Sequence, residues 1–218
     1  MRTSIAETIE AFPSDEYPIV GGAKLRASFA GACARQVQFR TQGAEGAPVP
    51  ASSRIAFKIG HAVGDLIAAA LQYLEPGGTQ EAPGILCVHD EFAHPWSVLE
   101  PCSAGTLIGC HADFATDRKV YEVKTMQTFA FNKGPNEHHI LQAGICALAL
   151  DVREIELVYV DKAKGEIATY PFGWEDFYAQ ALDEAIRLAR VLQGDAPMID
   201  PTHQHWRCRY CPFESICK

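Results

Sequence analysis

An α/β or α+β chain, with a mixed sheet flanked by helices, is the architecture this sequence leads to. Helical periodicity carries part of that reading: apolar residues recur every three or four positions over 53–74 and 174–193, and a third helix fits 137–150. Strand-like runs carry the rest, at 84–92, 96–101, 105–115, 119–126, 154–161 and 166–171. Helix, strands, helix, two strands and helix in that order imply a sheet with helices packed against it. At 218 residues, 48% hydrophobic and 21% charged, the chain reads as one domain over 1–218, with a core at about 53–172 and further segments at about 27–40 and 203–218.

The elements follow in order. Two stretches rich in Gly and Pro, 42–52 and 74–84, read as long loops. Between them, Ile55, Ile59, Val63, Leu66, Ala70 and Leu74 form one apolar helical stripe, with Ser52 or Ser53 available as the cap. At 100° per residue, Arg54, Lys58, His61 and Asp65 share the sector away from that stripe. The runs 105–115 and 119–126 form a hairpin around the turn-like TDRK. On the last helix, Phe177, Ala181, Ala185, Leu188 and Leu192 face inward.

The formal charge of −8 excludes a surface coated in basic patches, so any nucleic acid must be held by a local groove. The start, MRTSIAETIEAF, lacks a signal-sequence pattern. No run approaches the roughly 18 uninterrupted apolar residues of a membrane span. The expectation is a cytoplasmic protein with no membrane partner, in which eight cysteines serve as buried, metal-binding or catalytic groups rather than as a disulfide framework.

The hairpin carries the first chemical signal. Glu122 and Lys124 lie two apart on one strand and share a face, and Asp113 on the preceding strand can lie beside them. Converging carboxylates repel and lose solvation, a cost that a divalent cation offsets, and oxygen ligands suit Mg²⁺ or Mn²⁺. A solvated surface hairpin would show the same three residues. The following helix adds His138, Gln142 and Cys146 on one stripe, and Gln142 can hold a phosphate or an attacking water.

The second signal is the tail, HQHWRCRYCPFESICK. Cys208, Cys211 and Cys217 form a C-x2-C-x5-C array that needs a fourth ligand, for which Cys33 is the candidate. Thiolates beside Trp206, Tyr210 and Phe213 suit an iron–sulfur centre. Zinc, with His203 or His205 completing the set, is the alternative. Cys87, Cys102, Cys110 and Cys146 read as small buried residues, with Cys102 and Cys110 able to lie close together. Lys24, Arg26, Arg35 and Arg40 flank Cys33, Arg54 and Lys58 share the His61 face, and Arg207 and Arg209 bracket Cys208. Together they could line a groove for a single strand, with Trp206, Tyr210 or Phe29 stacking on bases.

Asp113, Glu122-Val123-Lys124 and Gln142 together resemble the PD-(D/E)XK nuclease superfamily in its RecB-like branch. The IGH of residues 59–61 is similar to the upstream helix that gives those proteins a histidine ligand. The resemblance implies a restriction-endonuclease-like core, in which His61, Asp113, Glu122 and the Val123 carbonyl bind metal, Lys124 serves the water and Gln142 completes the site. Two departures are Cys146, where many relatives have tyrosine, and Asp65, one turn from His61 and able to take its role. One cysteine before the core and three after it resembles the iron–sulfur-stapled members, namely helicase–nucleases of the AddB type and the fourth CRISPR-associated family with its phage relatives. That implies a 4Fe-4S cluster on Cys33, Cys208, Cys211 and Cys217. The compact length points to the last group. The implied activity is an exonuclease on single-stranded DNA or overhangs, in CRISPR adaptation or phage and host recombination, with proteins of those systems or further copies of itself as partners. A non-catalytic DNA-end-binding adaptor and a redox-responsive regulator are the competing functions.

Overall fold

The computed structural model describes residues 20–95, 102, 105–194, 208 and 211–217. Its strands are β1 (Leu25–Arg26), β2 (Thr79–Val88), β3 (Ala93–Pro95), β4 (Thr106–Ala115), β5 (Lys119–Met126), β6 (Glu154–Asp161) and β7 (Ile167–Gly173). They form one sheet in the order β3-β2-β4-β5-β6-β7, with β1 joined to β4. The β1–β4 and β5–β6 pairs are parallel and the others antiparallel. The helices are α1 (Ala34–Thr41), α2 (Ala51–Leu74), α3 (Thr128–Phe131), α4 (Glu137–Leu150) and α5 (Trp174–Gln193). This is a mixed α/β, restriction-endonuclease-like fold.

Parallel neighbours need a crossover, and α3 with α4 supplies it between β5 and β6. The two faces of the sheet carry separate cores. Val120, Ile155, Leu157 and Tyr159 pack toward α4 and α5, whereas Phe114, Tyr121, Val123 and Val158 pack against Ala68 and Leu71 of α2. Strand β6 is thus apolar on both faces from Leu157 to Val160, while Glu154 and Glu156 at its start pair with Lys119. Every residue of α4 from Ala143 to Ala149 is buried, because the helix is enclosed by the sheet and α5. Contact with α5 is close at Gly144, where a Cβ would stand 2.7 Å from the Ala181 Cβ and 3.1 Å from the Phe177 ring. The α5 stripe of Phe177, Ala181, Ala185 and Leu188 is buried as the periodicity predicts, with Leu192 half-buried. Gly194 ends that helix at a φ of 88°.

Helix α2 departs from expectation. An amphipathic helix should bury its bulky stripe, yet Ile55, Ile59, Leu66 and Leu74 are exposed. The face turned to the sheet is instead Gly60, Ala68 and Leu71, where glycine and alanine let the backbone approach. At Gly60 an added Cβ would touch Thr125 Oγ1 at 3.4 Å. With a mean hydropathy of 1.2 over 18 residues, α2 is the one described helix long and apolar enough to cross a membrane by composition. Its start is Ala51 after Pro50, and neither Ser52 nor Ser53 caps it. Residues 79–83, read as loop, belong to β2, and β3 and α1 were not read from the pattern. The strand read at 96–101 lies outside the described residues.

The Gly144 contact yields a stability prediction. Gly144→Val should lower stability by about 1–3 kcal/mol in urea unfolding, because overpacking against Ala181 and Phe177 outweighs the helix-propensity gain.

Candidate active site

Strands β4 and β5 pair at Phe114 with Tyr121 and Ala115 with Val120, and the regular ladder goes no further. In the next position of that register Asp113 stands opposite Glu122, on the α4 side of the sheet. Here the Asp113 carboxylate replaces a strand carbonyl: its Oδ2 accepts a hydrogen bond from the Val123 N–H at 2.6 Å. Glu122 is completely buried. Its Oε1 accepts hydrogen bonds from Lys124 Nζ and from Gln142 Nε2 of α4, the latter at 2.7 Å. Its Oε2 is buried with no partner. Four of the expected site residues are therefore brought together: Asp113, Glu122, Lys124 and Gln142.

The electrostatics follow from burial. Loss of water pushes the Glu122 carboxyl up to about 7, with Lys124 opposing the rise and Asp113 reinforcing it. Burial also disfavours the Lys124 charge, but the Glu122 and Asp113 carboxylates outweigh it and hold the ammonium above its usual range. Beside them, His139 Nδ1 and the Tyr159 hydroxyl are 2.8 Å apart, and burial drives the His139 imidazole down to about 3, so it is neutral near Lys124.

One acid was missed. Glu81 is opposite Asp113 in the β2–β4 register, with a φ of 49° that interrupts the ladder, and its charge contributes to raising Glu122. Glu81, Asp113 and Glu122 thus form one row across three adjacent strands. No sequence signal marked Glu81, because Pro83 and the neighbouring glycines made 74–84 read as loop.

His61 lies exposed on the flank of α2, next to Gly60 and the Thr125 end of β5. Asp65, the alternative, accepts a hydrogen bond from Gln80 Nε2 at 3.0 Å. Cys146 is wholly buried and hydrogen-bonded with Cys110. Cys102 is not beside Cys110 but joined to Cys87 in a disulfide, which corrects both the expected neighbour and the expectation of unpaired thiols.

The described part of the tail packs on the start of the chain. Phe213 is buried against Phe39, Ala47 N donates to Pro212 O at 2.7 Å, and Arg35 Nη1 donates to Cys217 O at 2.7 Å. Cys211 N donates to Cys208 O at 3.0 Å. Burial raises the Cys211 thiol, and Cys217, Cys33 and Cys208 are all near enough to raise it further. On the far side of Cys33, Glu184 of α5 accepts from Gly31 N at 2.7 Å and from Arg187, whose Nη2 also donates to Ala32 O at 3.2 Å. Arg35 therefore serves the tail contact. Phe29 is buried with Arg40 above its ring, so it is not a free stacking platform. Arg54 donates to Val49 O at 3.4 Å, and Lys58 is exposed. His203, His205, Trp206, Arg207, Arg209 and Tyr210 lie outside the described residues.

No protein-family model matches the chain. No curated protein matches it either. Among solved structures, SSO0001 aligns at 18% identity with a TM-score of 0.61, over 97% of this chain and 91% of the other. LHK-Exo in complex with dAMP aligns at 15% identity with a TM-score of 0.51, over 85% and 94%. A further structure of LHK-Exo, an alkaline exonuclease from Laribacter hongkongensis, aligns at 15% identity and a TM-score of 0.42, over 64% and 69%. At these identities the first two share the fold.

The raised Glu122 pKa has a definite sign. The folded chain holds this proton more tightly than the unfolded one, so metal-free stability should fall as pH rises from about 4.5 to about 7. In chelator, Glu122→Gln should remove that slope, amounting to on the order of 3 kcal/mol across the window. Urea midpoints at a series of pH values would show it.

Proposed function

We propose that this chain is a metal-dependent deoxyribonuclease of the RecB-like PD-(D/E)XK kind, a cytoplasmic exonuclease that hydrolyses phosphodiester bonds in single-stranded DNA or overhangs. The observation that carries the reading is the buried Glu122, fixed by Lys124 and Gln142 through one oxygen while the other has no partner. A buried carboxylate oxygen left without hydrogen bonds is costly. The donor set fits a hard divalent cation: Asp113, Glu122 and the Val123 carbonyl would hold Mg²⁺ or Mn²⁺, with His61 on the flank of α2 as a further ligand. A bound cation there supplies Lewis-acid polarisation of the phosphate and lowers the pKa of water. Lys124 orients the attacking water and offsets the charge that builds on the phosphate. Gln142 keeps the Glu122 carboxylate in place.

The tail cysteines fit a 4Fe-4S cluster on Cys33, Cys208, Cys211 and Cys217. Cys217, Cys33 and Cys208 all act on the Cys211 thiol, so the described structure supports one centre shared by the four cysteines. Its chemistry is that of a staple between the two segments.

DNA as substrate is supported by the fold shared with LHK-Exo, an exonuclease whose complex holds dAMP. Arg54 and Lys58, together with Arg207 and Arg209, are the cations proposed to line the strand's path. CRISPR adaptation or recombination is the setting in which such an end-processing activity would work.

Digestion of end-labelled single- and double-stranded DNA tests the reading. Anaerobically purified protein should cut with Mg²⁺ or Mn²⁺, and Glu122→Ala and Lys124→Ala should each lose at least about 100-fold in rate. A folded wild type that cuts nothing with either metal would remove autonomous catalysis. Cys211→Ala should lose iron and solubility together, and a well-folded variant without iron would refute the staple.

A further inference from the structure

A second group of metal-ligating side chains lies at the other end of the sheet. Cys87 of β2 and His94 of β3 are direct cross-strand partners, and directly opposed residues share a face. His89, two residues beyond Cys87, turns back with the hairpin, where its N–H donates to Phe92 O at 2.8 Å. The donor atoms of Cys87, His89 and His94 all lie within 4.8 Å of one another, with Cys87 Sγ 3.5 Å from His89 Nε2. The two imidazoles stack at 5.5 Å between centroids, and Phe92 stacks on His89 at 4.5 Å. The Cys102 sulfur completes the group through its bond to Cys87.

The backbone makes room for both sulfurs. At Gly105, a Cβ would stand 2.6 Å from Cys102 Sγ, 2.7 Å from Cys87 Sγ and 2.7 Å from Val88 O. The group is also remote from Glu122. Cys87 is opposite Leu107 of β4, and Asp113 lies six residues further along that strand, about 20 Å away at the usual rise.

We propose that Cys87, His89, His94 and Cys102 form a zinc site that opens when the Cys87–Cys102 disulfide is reduced. Two sulfurs and two imidazoles are a tetrahedral set for Zn²⁺, and neither Mg²⁺ nor Mn²⁺ favours it. Oxidised, the sulfurs are bonded to each other and cannot act as thiolates. A dithiol reductant gives up two electrons and two protons, breaks the S–S bond and leaves as its own disulfide. Zinc then displaces the two thiol protons and takes both thiolates with the two neutral imidazoles. Cys102 is held against the β2–β3 hairpin in either state, by a covalent bond in one and by the metal in the other.

The test is residue-mapped alkylation of the full-length protein, so that the tail cysteines are read separately. After anaerobic reduction with a dithiol and removal of the reductant, Zn²⁺ should protect both Cys87 and Cys102 by at least tenfold in rate. The double variant His89→Ala/His94→Ala should lose that protection and bind one zinc fewer per chain, with an unchanged thermal unfolding profile in the absence of zinc. Without reduction, neither cysteine should react and the zinc difference should vanish. Three results would overturn the proposal: equal alkylation of Cys87 and Cys102 with and without zinc, full protection in the double variant, or a disulfide that the reductant fails to open in the folded protein. The first needs no variant, so a misfolded substitution cannot obscure the outcome.

Discussion

A carboxylate with no contact to solvent must find its partners inside the protein, and Glu122 is in that position. Lys124 comes from its own strand and Gln142 from the helix that crosses to β6. The buried acid thus ties β5 to the crossover helix on the α4 face of the sheet, while Asp113 on the strand beside it raises the Glu122 carboxyl further. Asp113, bonded to the Val123 N–H, stands where the β4–β5 ladder stops after two pairs. Closed further, the strands would give the Val123 N–H a carbonyl partner in place of the Asp113 carboxylate.

What was legible in the sequence is what local pattern encodes. The hairpin over 105–126, the helix over 137–150 and the Asp, Glu-x-Lys and Gln set could be read because period and spacing alone decide which side chains share a face. Long-range choices were hidden. Helix α2 buries Ala68 and Leu71 because the sheet packs there, and the bulky stripe that dominates the sequence pattern remains outside. Glu81 escaped notice because a residue held at a φ of 49° in a broken ladder has no alternating pattern to betray it. Nor could spacing tell that Cys102 pairs with Cys87 rather than lying beside Cys110, since both candidates are set by strand registers formed only on folding.

The segment from Gly31 to Arg35 is held between α5 and the tail. Glu184 and Arg187 grip the backbone at Gly31 and Ala32 from one side, and Arg35 reaches the Cys217 carbonyl on the other. Gly31 itself has a φ of 69°, and a Cβ there would lie 2.8 Å from the Cβ of His138 on α4. Cys33 therefore sits two residues from a backbone point clamped by α5 and pressed against the helix that carries Gln142.

The turn at Asp117 and Arg118 is exposed on both side chains and joins β4 to β5. Strand β5 pairs with β4 at two positions and with β6 at eight, so β6 holds its register. A residue added at the turn is therefore taken up in the loop, and Glu122 keeps the face it presents. Lengthening this surface turn leaves the acid in place, whereas a one-residue slip of β5 against β6 would turn it to the other side of the sheet.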